Sequence, residues 1–144
     1  MINKMKSKQT ILICLIFLIL SSACAKKEEV HKFDEEKLLT LSEELVSEAN
    51  SGNGKAIYDL IEETFRKTTT VDGINEFIAF QLSKTTEFDS IIKTTFSQSV
   101  HPLEKYPIAS VVVLARFENG TMTYNFSYNE LNEILGFSMV FQLK

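Results

Sequence analysis

Few side chains beyond the first thirty residues have the types and spacing that chemistry requires. His31 sits in a polar stretch and His101 just before Pro102. Two lone histidines so far apart read as solvated loop residues, not as a base or a ligand pair. Asp59 and Glu63 are four residues apart and share a helical face. Ile57, Leu60 and Ile61 claim the core side of that helix, so the two acids read as part of a solvated face. Arg116 is in phase with Val112 and Leu114 on a strand. Its head either turns into the interior to meet an anion or stays wet at the strand end. Tyr124, Phe126 and Tyr128 form an aromatic stripe at period two, with Phe137 and Met139 opposite. Such a stripe packs a sheet against helices; in a hollow fold the same residues, with Arg116, line a pocket whose hydroxyls orient a ligand. No serine lies in a Gly-x-Ser-x-Gly elbow, and no Gly-rich phosphate loop or paired-His motif occurs. We therefore expect no enzyme, no metal site and no cofactor.

The N-terminus is more specific. Lys4, Lys6 and Lys8 precede an unbroken apolar run, Ile11 to Leu20, and then Ser21, Ser22, Ala23 and Cys24. A basic start, a ten-residue apolar core and small residues before a cut site are the layout of an export signal. The run is too short to span a bilayer, which takes about 20 apolar residues. The stretch LSSAC resembles the bacterial lipobox. That resemblance implies that 1–23 is a lipoprotein signal peptide and that Cys24 becomes an acylated first residue. It also implies anchorage at the extracytoplasmic side of a bacterial cell membrane. Cys14 would leave with the signal and Cys24 be consumed by lipid, so the mature domain would have no disulfide. Residues 24–32 read as a polar tether.

Charge narrows the partners. Without the three signal lysines, 12 basic side chains face 19 acidic ones. An acidic surface argues against nucleic acid and against anionic lipid headgroups, so attachment must come from the lipid.

Residues 33–144 then form one domain. From Phe33 to Asn50, Leu38, Leu41 and Leu45 recur at helical spacing, and the run from Asn50 to Gly54 stops the helix. A second helix is expected over Lys55–Lys67 and a third over Asp72–Lys84. Strands follow. In the first, Phe88, Ile92 and Phe96 should face inward, with Ile91 outside. The second, Pro107–Phe117, is apolar on both faces. Asn119-Gly120 suggests a type I′ hairpin with positive φ at both positions. Met122, Tyr124, Phe126 and Tyr128 then alternate with polar residues, and a last strand carries Phe137, Met139, Phe141 and Leu143, with Gly136 at a bulge. The expected class is α+β: three helices on one face of a curved, four-stranded antiparallel sheet.

The segments KLLTLSEELVSEANSGNGKAIYDLIEETF, FDSIIKTTF and VVVLARFENGTMTYNFSYNELNEILGF resemble the cystatin-like cone of the nuclear transport factor two superfamily. More narrowly, they resemble small modules of unknown function carried by bacterial lipoproteins. The resemblance implies a cone whose interior can hold a ligand and whose sheets can pair into dimers.

Two roles remain open. One is an interaction or assembly module, a homodimer or the docking site of an envelope protein. Its surface would be the side of the second strand bearing Ala109, Val111, Val113 and Ala115, for which three helices leave no cover. The other is a small-molecule binder using the cone interior.

Overall fold

Helix α1 (Glu35–Asn50) begins where the Asp34 carboxylate accepts a hydrogen bond from the Lys37 N–H at 3.1 Å. Glu35 and Glu36 in the first turn add favourable charge at the positive end of the helix dipole. Its buried stripe is Leu38, Ser42, Leu45, Val46 and Ala49. Gly52, at φ +80°, ends it in the left-handed region that suits glycine. The computed structural model describes residues 33–144. The expected signal peptide, the tether, His31 and Cys24 lie outside the described residues. Among those described, no helix is long and apolar enough to cross a membrane.

The expected second helix is not continuous. α2 (Gly54–Tyr58) and α3 (Glu63–Arg66) flank a turn at Asp59-Leu60 that opens into a bridge at Ile61. There the Ile134 N–H donates to the Leu60 carbonyl at 2.7 Å, and the Glu62 N–H donates to the Ile134 carbonyl at 3.0 Å. Arg66 turns back to donate from Nε to the Ile61 carbonyl and from Nη2 to the Asp59 carbonyl, each at 2.8 Å. The carbonyls that a helix would have bonded internally are thus satisfied, and pairing with a strand overrides helical propensity. α4 (Val71–Leu82) is capped by Thr70, whose hydroxyl accepts from the Gly73 N–H, and it buries Ile74 and Ile78.

Four strands follow, β1 (Phe88–Val100), β2 (Pro107–Phe117), β3 (Gly120–Tyr128) and β4 (Ile134–Leu143). Each pairs antiparallel with its neighbour in sequence, in the order β1-β2-β3-β4. The helices pack against one face of this curved, open sheet, as the sequence leads one to expect.

Three local expectations fail. β1 carries two register shifts, between Phe88 and Ser90 and between Ile91 and Lys93. Each adds one residue and flips the alternation. Ile91 is therefore opposite Ala115, toward the helices, while Ile92 is 41% exposed. The β2–β3 hairpin turns at Glu118-Asn119, with Phe117 opposite Gly120. Neither Asn119 nor Gly120 has positive φ. Instead Asn119 grips the neighbouring loop. Its Oδ1 accepts from the Thr86 N–H at 3.0 Å, and its Nδ2 donates to the Lys84 carbonyl at 3.0 Å. Gly120 is needed for space, since a Cβ there would lie 2.2 Å from the Gln142 carbonyl oxygen. The third failure is on β2, whose inward and outward sides are the reverse of those expected.

Candidate functional site

The hairpin register decides which side of β2 is the interior. Ala115 pairs with Met122, Val113 with Tyr124 and Val111 with Phe126. Paired residues share a face, and the even positions of β3 meet the helices. Ala109, Val111, Val113 and Ala115 are consequently buried in the core. The expected interface on these four residues is thus overturned. The outward side carries Ile108, Ser110, Val112 and Leu114, all half-buried, and Arg116. Arg116 accordingly leaves the set of pocket-lining candidates. It stands on the outer face, 3.9 Å from the Asp89 carboxylate, with both side chains about half exposed. Such a pair contributes only ~0–1 kcal/mol.

Tyr124, Phe126, Tyr128 and Met139 do face the helices, but they are buried in the core and none of them lines the cleft described below. Phe126 stacks on Phe137 at 5.1 Å between ring centroids. The two tyrosine hydroxyls pin α1 to the sheet. Tyr128 shares a buried hydrogen bond with Ser42 at 2.8 Å, and Tyr124 donates to Asn50 Oδ1 at 2.5 Å. Burial pushes Tyr128 up to about 12 and raises Tyr124 as well; the bonds to Ser42 and Asn50 offset part of each rise. Both phenols stay neutral near pH 7 and are held in structural hydrogen bonds, poorly placed for proton transfer.

The other polar candidates also have structural partners. His101 stacks on Tyr106 at 4.8 Å, and its Nδ1 accepts from the Glu104 N–H at 3.1 Å, which holds the β1–β2 turn. Asp59 pairs with Lys55 at 2.6 Å on an exposed surface. Glu62 caps α3 by accepting from the Thr64 N–H. Among the described residues, no group of three or more His, Cys, Asp or Glu side chains could hold a metal ion.

A cavity does exist, displaced from the tyrosine stripe. A half-open cleft of about 440 Å³ lies between the α2–α4 segment and the start of β4. Ile57, Ile61, Phe65, Ile74, Phe77, Ile134, Leu135 and Phe137 supply its apolar walls; Thr68, Thr69, Thr70, Gly73 and Gly136 complete them. Phe137 is the one lining residue anticipated from the sequence. Thr68 donates its hydroxyl to the Phe65 carbonyl, and the Thr70 hydroxyl caps α4. No hydrogen bond among the described residues engages the Thr69 hydroxyl. The cleft follows from the broken helix: at Ile61 the chain leaves the helical path to pair with Ile134, and α3 buries none of its residues. A helix drawn straight through Lys67 hides it.

These features place the chain in a class of small α+β domains with helices on one face of an open sheet. Residues 42–137 match the model of a family described as a protein of unknown function (DUF3887), and the chain belongs to that family. It is also similar to a protein from Ruminococcus gnavus ATCC 29149 solved by NMR. The two are 20% identical with a TM-score of 0.60, over 74% of this chain and 91% of that one. At that identity the likeness shows the fold alone. No curated protein matches the chain.

Proposed function

We propose that this is a lipid-anchored bacterial envelope protein, held by an acylated Cys24, whose domain binds an apolar small molecule. The role is binding, not catalysis, and the fold reads as a cone of the nuclear transport factor two-like kind. The observation that carries the reading is the cleft. Its volume of about 440 Å³ falls within the ~300–1,000 Å³ of small-molecule pockets. None of its lining residues has a charged side chain, so a neutral, mostly hydrocarbon ligand fits. The Thr69 hydroxyl offers one polar contact for orientation. Support for the anchor is the layout of Lys4–Lys8, Ile11–Leu20 and Ser21–Cys24.

The test uses the compact unit His31–Lys144 and the neutral fluorophore N-phenyl-1-naphthylamine. The wild-type unit should bind it saturably. Phe65, 45% exposed at the cleft, can carry a charge without disturbing the core. Phe65→Glu should weaken binding at least about tenfold, or ~1.4 kcal/mol, with an unchanged thermal melt. Equal binding by wild type and Phe65→Glu would reject the cleft. Separately, Cys24→Ala should abolish labelling by a palmitate analogue in cells; a mutant still acylated would reject the anchor.

A further inference from the structure

The two edges of the sheet are treated differently. β1 is a guarded edge: two register shifts bend it, and it carries Asp89 and Lys93. Bulges and charges are the usual means of keeping a second strand from adding to an edge. β4 has one irregularity near its start, opposite Ser127 and Tyr128, and from Ile134 to Leu143 no charged residue and no proline. Among the described residues only Ile134 is covered, by the Leu60–Glu62 stretch. Beyond it, no hydrogen bond among the described residues reaches the outer edge of β4.

The free groups can be assigned. Ile134 uses its N–H and carbonyl outward, toward Leu60 and Glu62, while its side chain faces the helices. Side-chain face and peptide direction alternate together along a strand, and a bulge shifts both in step. Phe137, Met139 and Phe141 share the inward face of Ile134, so their N–H and carbonyl groups also point to the open edge. We infer that this edge is filled by β4 of a second copy of the chain, antiparallel about a two-fold axis at Val140, giving a continuous eight-stranded sheet.

Symmetry and two observations select a second copy. An identical strand pairs with itself antiparallel about a two-fold axis, so one surface serves both partners. The chain is acidic, with 19 acidic against 15 basic residues, yet β4 can approach its copy without bringing like charges together. The apolar side chains also find partners. Val140, 50% exposed, meets its own counterpart on the outer face. Leu143, 73% exposed, falls opposite Phe137 of the other copy, at the rim of the cleft. This register stops the incoming β4 opposite Phe137, clear of the groups that Ile134 already uses. The inference does not rest on ligand binding or on lipidation.

Val140 then forms a non-hydrogen-bonded pair with itself, where Cβ atoms are ~4.5–5.5 Å apart and at closest approach match disulfide geometry. In cells expressing the full chain and treated with the membrane-permeant thiol oxidant diamide, which takes up the two electrons and two protons released, Val140→Cys should form a disulfide-linked dimer. Wild type controls for Cys14 and Cys24. Ser138→Cys and Gln142→Cys should each stay monomeric alone and cross-link when co-expressed, because that register sets 138 opposite 142 of the other copy. Thr123→Cys, one strand inward on the same face, should not cross-link. Dimers through Thr123→Cys without Val140→Cys would mean that copies stack face to face and would overturn the inference. Absence of every cross-link in chains whose circular dichroism matches wild type would also overturn it, leaving the edge to a strand from another protein.

Discussion

The space between helices and sheet has two halves built in opposite ways. Under α1, a 16-residue helix presents five buried residues in one unbroken stripe. Met122, Tyr124, Phe126 and Tyr128 are buried in the same core, and the Tyr128 and Tyr124 hydroxyls tie the sheet to the helix through Ser42 and Asn50. Under α2–α4 the helices have 5, 4 and 12 residues, and none lays down a stripe long enough to close the interior. The same sheet is thus a packed core at one end and a cleft at the other. What separates the halves is helix continuity, since both are lined by aliphatic and aromatic residues. A cavity in this fold arises where a helix is interrupted to pair with a strand.

Perturbing each half should sharpen that contrast. Val113→Lys puts an unpaired charge at a fully buried position and should leave little folded protein, because burying an isolated charge exceeds a typical domain stability. Circular dichroism of the purified variant would show it. A folded variant would return Val113 to the surface and reverse the assignment of faces. Phe126→Ala should cost ~3–5 kcal/mol in denaturant melts. Tyr128→Phe, which strands Ser42, should cost about 1–3 kcal/mol.

The tyrosines also set an alkaline limit. Their folded pKa values lie above the ordinary 10, so the folded state holds the phenolic protons more tightly than the unfolded chain. That contribution is complete below pH 10 and is lost as pH rises from 10 toward the Tyr128 value of about 12. Tyr128→Phe should flatten the decline over that interval. The smallest effect belongs to the open half. Phe65→Ala, at a residue 45% exposed, should change stability by about 0.5 kcal/mol or less. A loss comparable to that of Phe126→Ala would show that Phe65 closes the interior and that the two halves are alike.

Much of the architecture was legible because periodicity reports burial where one face is wet. β3 alternates without exception, and α1 shows its stripe openly. β2 resisted because valines, leucine and alanines occupy both faces, so polarity cannot say which side is inside. Its parity was nonetheless available next door. A two-residue turn at either Glu118-Asn119 or Asn119-Gly120 pairs odd positions of β2 with even positions of β3. The wet face of β3 therefore determines that of β2. The bulges in β1 left no comparable mark. Phe88, Ile91 and Phe96 fit no single period, and only the pairing with Phe117, Ala115 and Val111 explains them. The cleft was hidden for a different reason. The residues from Lys55 to Lys67 are good helix formers, and their break depends on a hydrogen-bond partner, Ile134, far away in sequence.

The bond between Ser42 and Tyr128 joins residues 86 positions apart, and that between Asn50 and Tyr124 joins residues 74 apart. Every strand, by contrast, pairs with its sequence neighbour. Chains are made from the N-terminus at about 5–20 residues per second, so α1 exists for several seconds before β3 has been synthesised. During that interval its apolar stripe has no surface to dock against, and loop closure over so long a separation is among the slower steps of folding. The meander can assemble locally, one hairpin upon the next, whereas the contacts of α1 with Tyr124 and Tyr128 must wait for β3. Before Tyr124 and Tyr128 emerge, the nascent chain presents Leu38, Leu45 and Val46 to whatever chaperone or translocation factor it meets.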